Sequence, residues 1–234
     1  MYNHSLFLQT LSGFTRTLLT PYDLDTVLGE LAASLIGVLG LAGSGVTLAS
    51  EGRLRTATAF PAHLVELEQI QQDAQLGPCA QAVQTGKVVA VADLRHGYAE
   101  RWPEYCVIAA RLGLVAVAGI PLRMQDETIG AFNMYDEKPR DWSDGDIAAA
   151  VVMADMATGF LINASKLHQQ EQMTQQLQFA LDSRVVIEQA KGAVATAHGV
   201  SIDEAFERIR RHARANNASV GAAASAIVNV GMRI

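Results

Sequence analysis

The chain contains few cysteines, and its last proline is Pro139. Two cysteines among 234 residues, Cys79 and Cys106, cannot form a disulfide framework, and their spacing matches no metal site. We therefore expect free thiols in a reducing compartment. Cys79 follows Gly77-Pro78 at a predicted helix start, where a thiol pKa can fall, but a packed small side chain is the simpler interpretation.

Several functional signatures are also missing. The sequence has no Gly-rich phosphate loop, no HExxH, no GxSxG and no paired nucleophile and base, so we expect no enzymatic activity. His63 and His96 lack a partner at ligand spacing, which predicts no metal site, and no cofactor is indicated. No uninterrupted apolar run approaches the ~18 residues of a membrane span. The amino terminus lacks a basic leader before an apolar run, so we expect a cytoplasmic protein without membrane contact.

Charge is distributed unevenly along the chain. Hydrophobic residues make up 50% of the sequence, enough for a core in one or two domains. Residues 1–170 carry 11 Lys/Arg against 18 Asp/Glu, whereas residues 171–234 carry 7 against 6. A weakly basic tail on an acidic body favours two functions, one of them involving a polyanion.

The first 140 residues alternate between helical and strand patterns. Apolar residues follow a helical period to about residue 40, with Pro21 and Asp23 marking a break and a new start. Further helices are predicted at 63–75, 78–86 and 104–113, and strands at 45–50, 54–60, 88–94, 115–124 and 128–136, with a hairpin tip at Glu51-Gly52.

A helical pattern then runs from Ser143, a predicted cap, to about His198. That length greatly exceeds an average helix of ~11–12 residues, so the helix bridges domains or forms a coiled coil. Residues 166–180 are polar and carry an imperfect heptad. We predict a homodimer in which two copies pair through this helix, using Phe160, Leu161, Leu167 and Leu177.

Two more helices complete the tail as a predicted three-helix bundle. Ser201 and Glu204 form a capping-box pattern at the start of the first. The predicted inward residues are Ile187, Ala190, Val194 and Ala197 on the long helix, Ile202, Phe206, Ile209 and Ala213 on the next, and Val220, Ala223, Ile227 and Val230 on the last.

A polar stripe lies beside the inward row of "RVVIEQAKGAVATAH". Arg184, Glu188 and Lys191 form it, with Gln189 and Gly192 adjacent. Arg184 and Glu188 could simply be an i,i+4 ion pair on a solvated face. Gly192 costs roughly 1 kcal/mol against alanine inside a helix, which is explained if another backbone or a base comes close.

The last ~60 residues resemble the ANTAR domain, a three-helix RNA-binding module of bacterial antiterminators. The motifs that carry the resemblance are "LDSRVVIEQAKG" (181–192), "SIDEAFERIRRHAR" (201–214) and Asn216-Asn217. The chain departs from the family pattern in "AVATA" after Gly192 and in an Ala-rich last helix. The resemblance implies contact with exposed loop bases of RNA hairpins by Arg184, Glu188, Gln189, Lys191, Gly192, Arg208, Arg211 and Arg214.

The first ~165 residues resemble a GAF domain, a small-molecule sensor. The motifs are "GPCAQAVQTGKVVAVADL" (77–94), "RWPEY" (101–105), "GIPLRM" (119–124), "IGAFNMYD" (129–136) and "WSDGDIAAA" (142–150). This implies an α+β sensor with an antiparallel sheet flanked by helices. GAF ahead of ANTAR is an arrangement familiar in actinobacterial regulators.

Together these patterns predict a GAF-like sensor at 1–165, a helical connector at 166–180 and an ANTAR RNA-binding domain at 181–234. The predicted function is a signal-responsive antiterminator that binds hairpins in nascent RNA, with an unidentified small-molecule ligand in the sensor. The alternative is a sensor whose tail serves only dimerisation or protein contact. A DNA-binding regulator is disfavoured because no recognition helix with its own turn signature is visible.

Overall fold

The computed structural model of the protein describes residues 2–50 and 52–234. The chain divides into two units, Met1–Ser165 and Lys166–Ile234. The predicted hairpin tip includes Glu51, which lies outside the described residues. The elements are α1 His4–Thr17, α2 Leu24–Leu39, β1 Gly43–Ser50, β2 Arg53–Phe60, a 3-10 turn Ala62–Leu64, α3 Val65–Ala74, α4 Pro78–Thr85, β3 Val89–Val91, α5 Pro103–Arg111, β4 Ala116–Met124, β5 Glu127–Asp136, α6 Asp144–His198, α7 Ile202–Ala215 and α8 Val220–Val230.

The first unit contains a five-stranded sheet in the order β2-β1-β5-β4-β3, with antiparallel neighbours throughout. Phe132 in β5 lies opposite both Val46 and Ile120. The strand predicted at 88–94 is only three residues long. It ends early because the Asp93 carboxylate accepts a hydrogen bond from the Arg95 backbone N–H and closes a turn.

The alternation of side chains along the central strands produces two apolar layers. Ile120, Phe132 and Met134 face a core shared with α1, α2 and the first part of α6. Ala131 and Tyr135 point to the opposite face, where α3, α4 and α5 pack. The predicted α+β architecture, a sheet flanked by helices, is confirmed.

The predicted caps are confirmed at both α2 and α6. The Asp23 carboxylate accepts from the Thr26 N–H at 2.9 Å, and Ser143 Oγ accepts from the Asp146 N–H at 3.2 Å. Each cap satisfies a backbone donor that has no partner within its helix.

Arg140 connects the start of α6 to two earlier elements. Its guanidinium pairs with Asp136 at the end of β5 at 2.9 Å and with Asp146 in the first turn of α6 at 3.1 Å. It also donates to the Leu39 carbonyl at the end of α2 at 2.8 Å. One mostly buried cation therefore fixes the start of α6 to the sheet and to α2.

Part of α6 is long and apolar enough to cross a membrane, by length and composition only. Of that window, 39% is buried, and Met153, Ala157 and Phe160 lie in the core of the first unit. Core helices of soluble proteins pass the same test, so this window is weak evidence for a membrane span.

Phe160 was predicted to pair two copies of the helix, and this prediction is wrong. Its ring is fully buried, edge-on to Phe14 and Tyr22 within the first unit. Leu161 is partly buried against the same core. The exposed large apolar residues of α6 are Val152 and, farther along the helix, Leu167, Met173, Leu177, Phe179, Leu181 and Val185.

The second unit contains three packed helices, the end of α6 with α7 and α8, as predicted for the end of the chain. Its small core consists of Ala190, Val194, Ala205, Ile209, Ala213, Ala223, Ala224 and Ile227. Ala197, Ile202 and Val230 were predicted to face inward, but all three are exposed, and Val230 is the last residue of α8. Phe206 is half-buried at the edge of α7. A bundle this narrow buries only the centre of each predicted apolar stripe.

Candidate functional site

The polar stripe of α6 contains one ion pair. Lys191 Nζ donates to both carboxylate oxygens of Glu188, at 2.9 and 3.0 Å. The side chain of Lys191 is only 16% exposed, and its ammonium lies 5.5 Å from the ring centroid of Phe206 on α7. Glu188 is therefore paired with Lys191 in this structure, and Lys191 is held between α6 and α7.

The other predicted residues of this stripe are open to solvent. Arg184 and Gln189 are exposed, and Gly192 is partly exposed. A Cβ at Gly192 would meet nothing within 4 Å among the described residues, so no neighbouring segment of this chain explains the glycine. The space beside it remains open to a ligand.

The Phe206 ring also contacts a second cation, which comes from its own helix. The Arg210 guanidinium carbon lies 5.7 Å from the ring centroid, and Arg210 also pairs with Glu207 at 2.7 Å. Residues four apart on a helix share a face, which brings Arg210 beside Phe206. One flank of α7 therefore presents an aromatic ring with Lys191 and Arg210 next to it.

The three predicted arginines of α7 do not all lie on one surface. Arg208 and Arg211 line a groove of about 520 Å³ together with His212, and Arg208 pairs with Glu204 at 2.9 Å. Arg214 is exposed and does not line this groove. Besides the flank with Phe206, Lys191 and Arg210, α7 therefore has a second basic surface, formed by Arg208, Arg211 and His212. Arg214 lies elsewhere on the helix.

Phe206 and Arg210 were not predicted to be site residues. Phe206 was assigned to the core because it continued the apolar period of α7. The available signal was the i,i+4 spacing of an aromatic and an arginine, which places both side chains on one face of a helix.

A buried polar cluster lies between the sheet and α3 in the first unit. The fully buried Glu68 carboxylate accepts hydrogen bonds from the Tyr135 hydroxyl at 2.6 Å and from Thr47 Oγ1 at 2.9 Å. Asn133 Nδ2 donates to both of its oxygens, at 2.9 and 2.8 Å. Gln71 donates at 3.4 Å. All four donors are neutral, so the carboxylate is solvated by dipoles rather than by a cation.

Burial dominates the electrostatics of this cluster. Loss of water raises the pKa of Glu68, and the hydrogen bonds from Tyr135, Asn133 and Thr47 oppose that rise. Burial, followed by the nearby Glu68 charge, raises the pKa of Cys79 to about 12. Cys79 is therefore a thiol at neutral pH, which argues against the redox interpretation of this residue.

Two polar atoms near Glu68 are buried without a hydrogen-bond partner in the described part of the chain. They are the Tyr105 hydroxyl and Asn133 Oδ1. The cluster also depends on Gly45, because a Cβ at that position would overlap Glu68 Oε1. The polar groups are thus packed closely but not completely satisfied, and each unsatisfied buried group costs roughly 1–3 kcal/mol.

Residues 2–50 and 52–234 contain no group of three or more His, Cys, Asp or Glu side chains that could hold a metal ion.

Two family models match the chain. The GAF domain model matches residues 23–159, and the ANTAR domain model matches residues 175–228. The first match covers α2 to the first turns of α6, including the whole sheet. The second covers the polar stripe of α6, α7 and most of α8. No curated protein matches this chain.

Solved GAF structures share the fold of the first unit. The GAF domain of a phosphoenolpyruvate-protein phosphotransferase from Coxiella burnetii is 16% identical, with 71% of this chain and 99% of that chain covered and a TM-score of 0.56. The corresponding Acinetobacter domain is 14% identical, with 68% and 94% covered and a TM-score of 0.52.

An enzyme is also among the similar structures. Free methionine-R-sulfoxide reductase from Neisseria meningitidis is 18% identical, with 70% of this chain and 92% of that chain covered and a TM-score of 0.53. At these identities the likeness concerns the fold alone. The family match over residues 23–159 shows that the chain belongs to the GAF domain family, and an ANTAR domain follows at residues 175–228.

Proposed function

We propose that the protein is a cytoplasmic, signal-responsive transcription antiterminator of the actinobacterial GAF-ANTAR type. Its second unit binds hairpins in nascent RNA, and its first unit receives a small-molecule signal. It has no catalytic activity in this proposal. The observation that carries the proposal is the ANTAR match over residues 175–228.

The distribution of charge supports RNA as the partner. Basic residues are concentrated on the small bundle, where Arg184 and Arg211 are exposed and Arg208 lies beside Arg211 in the groove. Cations attract the phosphate backbone irrespective of sequence, whereas exposed amides such as that of Gln189 can read base edges. The bases of an exposed hairpin loop are unstacked, so such side chains can contact their edges.

The sensor part of the proposal is supported by the GAF fold and by α6. Helix α6 contributes core residues to the first unit, such as Met153, and to the second, such as Ala190 and Val194. A signal that changes the packing of the first unit therefore has a continuous helical path to the bundle.

The direct test is RNA binding by the full-length protein. Hairpins with one stem and randomised loops are selected on the protein, and their affinity is measured at several salt concentrations. We expect affinity for particular loops, with log K falling linearly against log salt. Failure to retain any hairpin, even at low salt, would contradict the proposal.

We also propose that the protein is a homodimer paired through α6. The support is a series of exposed apolar residues on this helix, each of them more than 45% exposed: Leu167, Met173, Leu177, Leu181 and Val185. Met173, Leu177 and Leu181 recur at spacings of four and lie on one side of the helix. Pairing with a second copy would remove this surface from water.

The same apolar series favours the second candidate function, a sensor whose tail serves only for self-association. Light scattering distinguishes oligomeric states, with twice the mass of the 25.0 kDa chain expected for the dimer. Leu177→Gln should give a monomer, while Gln176→Ala, a neighbouring exposed position, should not. A dimer that binds no hairpin would favour the second candidate.

A further inference from the structure

Phe206 is an aromatic side chain with two cations beside its ring at the edge of the bundle. Lys191 Nζ on α6 and the Arg210 guanidinium on α7 lie 5.5 and 5.7 Å from the ring centroid. The ring is half-buried and does not belong to the fully buried core of Ala205, Ile209 and Ala213. It therefore keeps part of its surface in water.

The two cations differ in how firmly they are held. The Lys191 side chain is 16% exposed and bonded twice to Glu188. The Arg210 side chain is 40% exposed, and its partner Glu207 is 58% exposed. Exposed ion pairs of this kind contribute little to stability, so Arg210 can leave its position while Lys191 stays in place.

We propose that Phe206 is a stacking platform for an unpaired base of the RNA loop, with Lys191 and Arg210 as its phosphate contacts. This inference rests on the proposed RNA-binding function. Aromatic rings stack on the faces of unpaired bases, and adjacent cations neutralise the phosphates on either side.

The arrangement accounts for features that a purely structural ring does not need. A core phenylalanine would be buried more deeply, whereas this ring keeps part of its surface in water with two cations over it. An arriving base can take the position of Arg210 over the ring, which frees the guanidinium for the phosphate next to that base. The Glu207 carboxylate then loses its partner and remains in water, where an unpaired charge costs little.

The experiment uses the full-length protein and a hairpin selected on it, with each loop purine replaced in turn by 2-aminopurine. Phe206→Leu keeps an apolar side chain but removes the ring, and Phe206→Tyr keeps the ring. Ile202→Leu, an exposed apolar position one turn earlier on α7, is the matched control. Circular dichroism and the mass in solution are measured for every variant.

We expect Phe206→Leu to weaken hairpin binding by about 5- to 150-fold, the range for removal of one base stack. We expect Phe206→Tyr and Ile202→Leu to bind like the parent protein. The fluorescence of 2-aminopurine at one loop position should be quenched by the parent and by Phe206→Tyr, and not by Phe206→Leu.

Three outcomes would overturn the inference in distinguishable ways. If the parent binds the hairpin and a folded Phe206→Leu variant binds equally well, the platform is wrong and the proposed function stands. If the parent binds no hairpin, the proposed function fails together with the platform. If Phe206→Leu changes the oligomeric mass and leaves RNA affinity unchanged, the ring belongs to a protein contact.

Discussion

The cores of the two units are built from different side chains. The first unit buries large residues over both faces of a sheet, Phe132 and Phe160 on one and Tyr105 on the other, and it also encloses the carboxyl group of Glu68. The second unit has a core of eight residues, five of them alanine, and no charged residue is part of that core. A large core can contain polar chemistry, whereas a small one leaves it on the surface, where a macromolecule can reach it.

This difference predicts that the bundle depends on very few side chains. Ile209→Ala should cost about 2–5 kcal/mol, the usual range for removing a buried isoleucine, and should unfold much of the bundle because alanine neighbours cannot fill the cavity. The measurement is urea unfolding followed by circular dichroism. Val230→Ala, at an 82% exposed position, should change stability by less than about 0.5 kcal/mol. Equal losses in both variants would contradict the proposed small core.

The surface chemistry of the bundle should affect binding rather than folding. Gln189→Ala should weaken the preferred loop by about 1–3 kcal/mol relative to a scrambled loop, if the amide reads a base edge as it would in a DNA groove. Lys191→Ala should weaken all hairpins and reduce the salt slope by about 0.7–0.9 for each phosphate that the lysine no longer neutralises. Titrations on matched and scrambled hairpins separate the two effects. Helical variants with parental affinity would mean that neither side chain contacts the RNA.

Equivalent helix caps allow the two units to be compared directly. Ser201 Oγ accepts from the Glu204 N–H at 3.2 Å in the bundle, and Asn3 Oδ1 accepts from the Leu6 N–H at 3.0 Å in the first unit. Alanine at either cap should cost about 1 kcal/mol. This loss should be a larger fraction of the unfolding free energy of the bundle than of the first unit, and hydrogen exchange of each unit would measure both fractions. A larger fraction in the first unit would contradict the idea that the bundle is the less stable unit.

Because Glu68 is buried, we expect its contribution to folding stability to fall as the pH rises, which is opposite to the contribution of a salt-bridged acid. The pKa of Glu68 in the folded protein lies above its ordinary value of 4.5, so the folded state binds more protons between the two values. The stability from this group is fully present below pH 4.5 and is lost as the pH rises through the folded-state pKa. The other titratable groups nearby, Cys79, Tyr105 and Tyr135, have raised pKa values and stay neutral in this window.

Glu68→Gln should therefore flatten the fall in melting temperature of the first unit as the pH rises. Glu66→Gln on the same helix is the control, because Glu66 is half-exposed and paired with Arg111 at the surface. Melting curves across this pH range give the comparison. An unchanged slope in Glu68→Gln would show that the buried carboxylate does not titrate as described.

Local signals in the sequence were sufficient to predict most element boundaries. Asp23, Ser143 and Ser201 each cap the predicted helix, because a side-chain oxygen near a helix start satisfies a nearby backbone donor. Only the first hydrogen bond of the predicted capping box forms, from the Glu204 N–H to Ser201 Oγ. The Glu204 carboxylate instead accepts a hydrogen bond from Arg208. Helix α6 follows its predicted length closely because no proline interrupts its pattern.

Features that depend on tertiary packing could not be predicted in this way. Glu68 occupies a helix that looked amphipathic, where a glutamate is normally solvent-exposed, and only the fold brings Thr47 and Asn133 to it. Phe206 fitted an apolar stripe whose edge the narrow bundle leaves uncovered. Phe160 was assigned to a dimer contact because its burial under α1 is a long-range contact.

Gly45 and Glu68 share one volume in the interior, and this has an evolutionary consequence. A methyl group on Gly45 and the carboxylate of Glu68 cannot both occupy the space above β1. The two positions should therefore mutate as a pair. In relatives with a side chain at the position of Gly45, the residue corresponding to Glu68 should be shorter, and the donors that surround the carboxylate here should be replaced together with it.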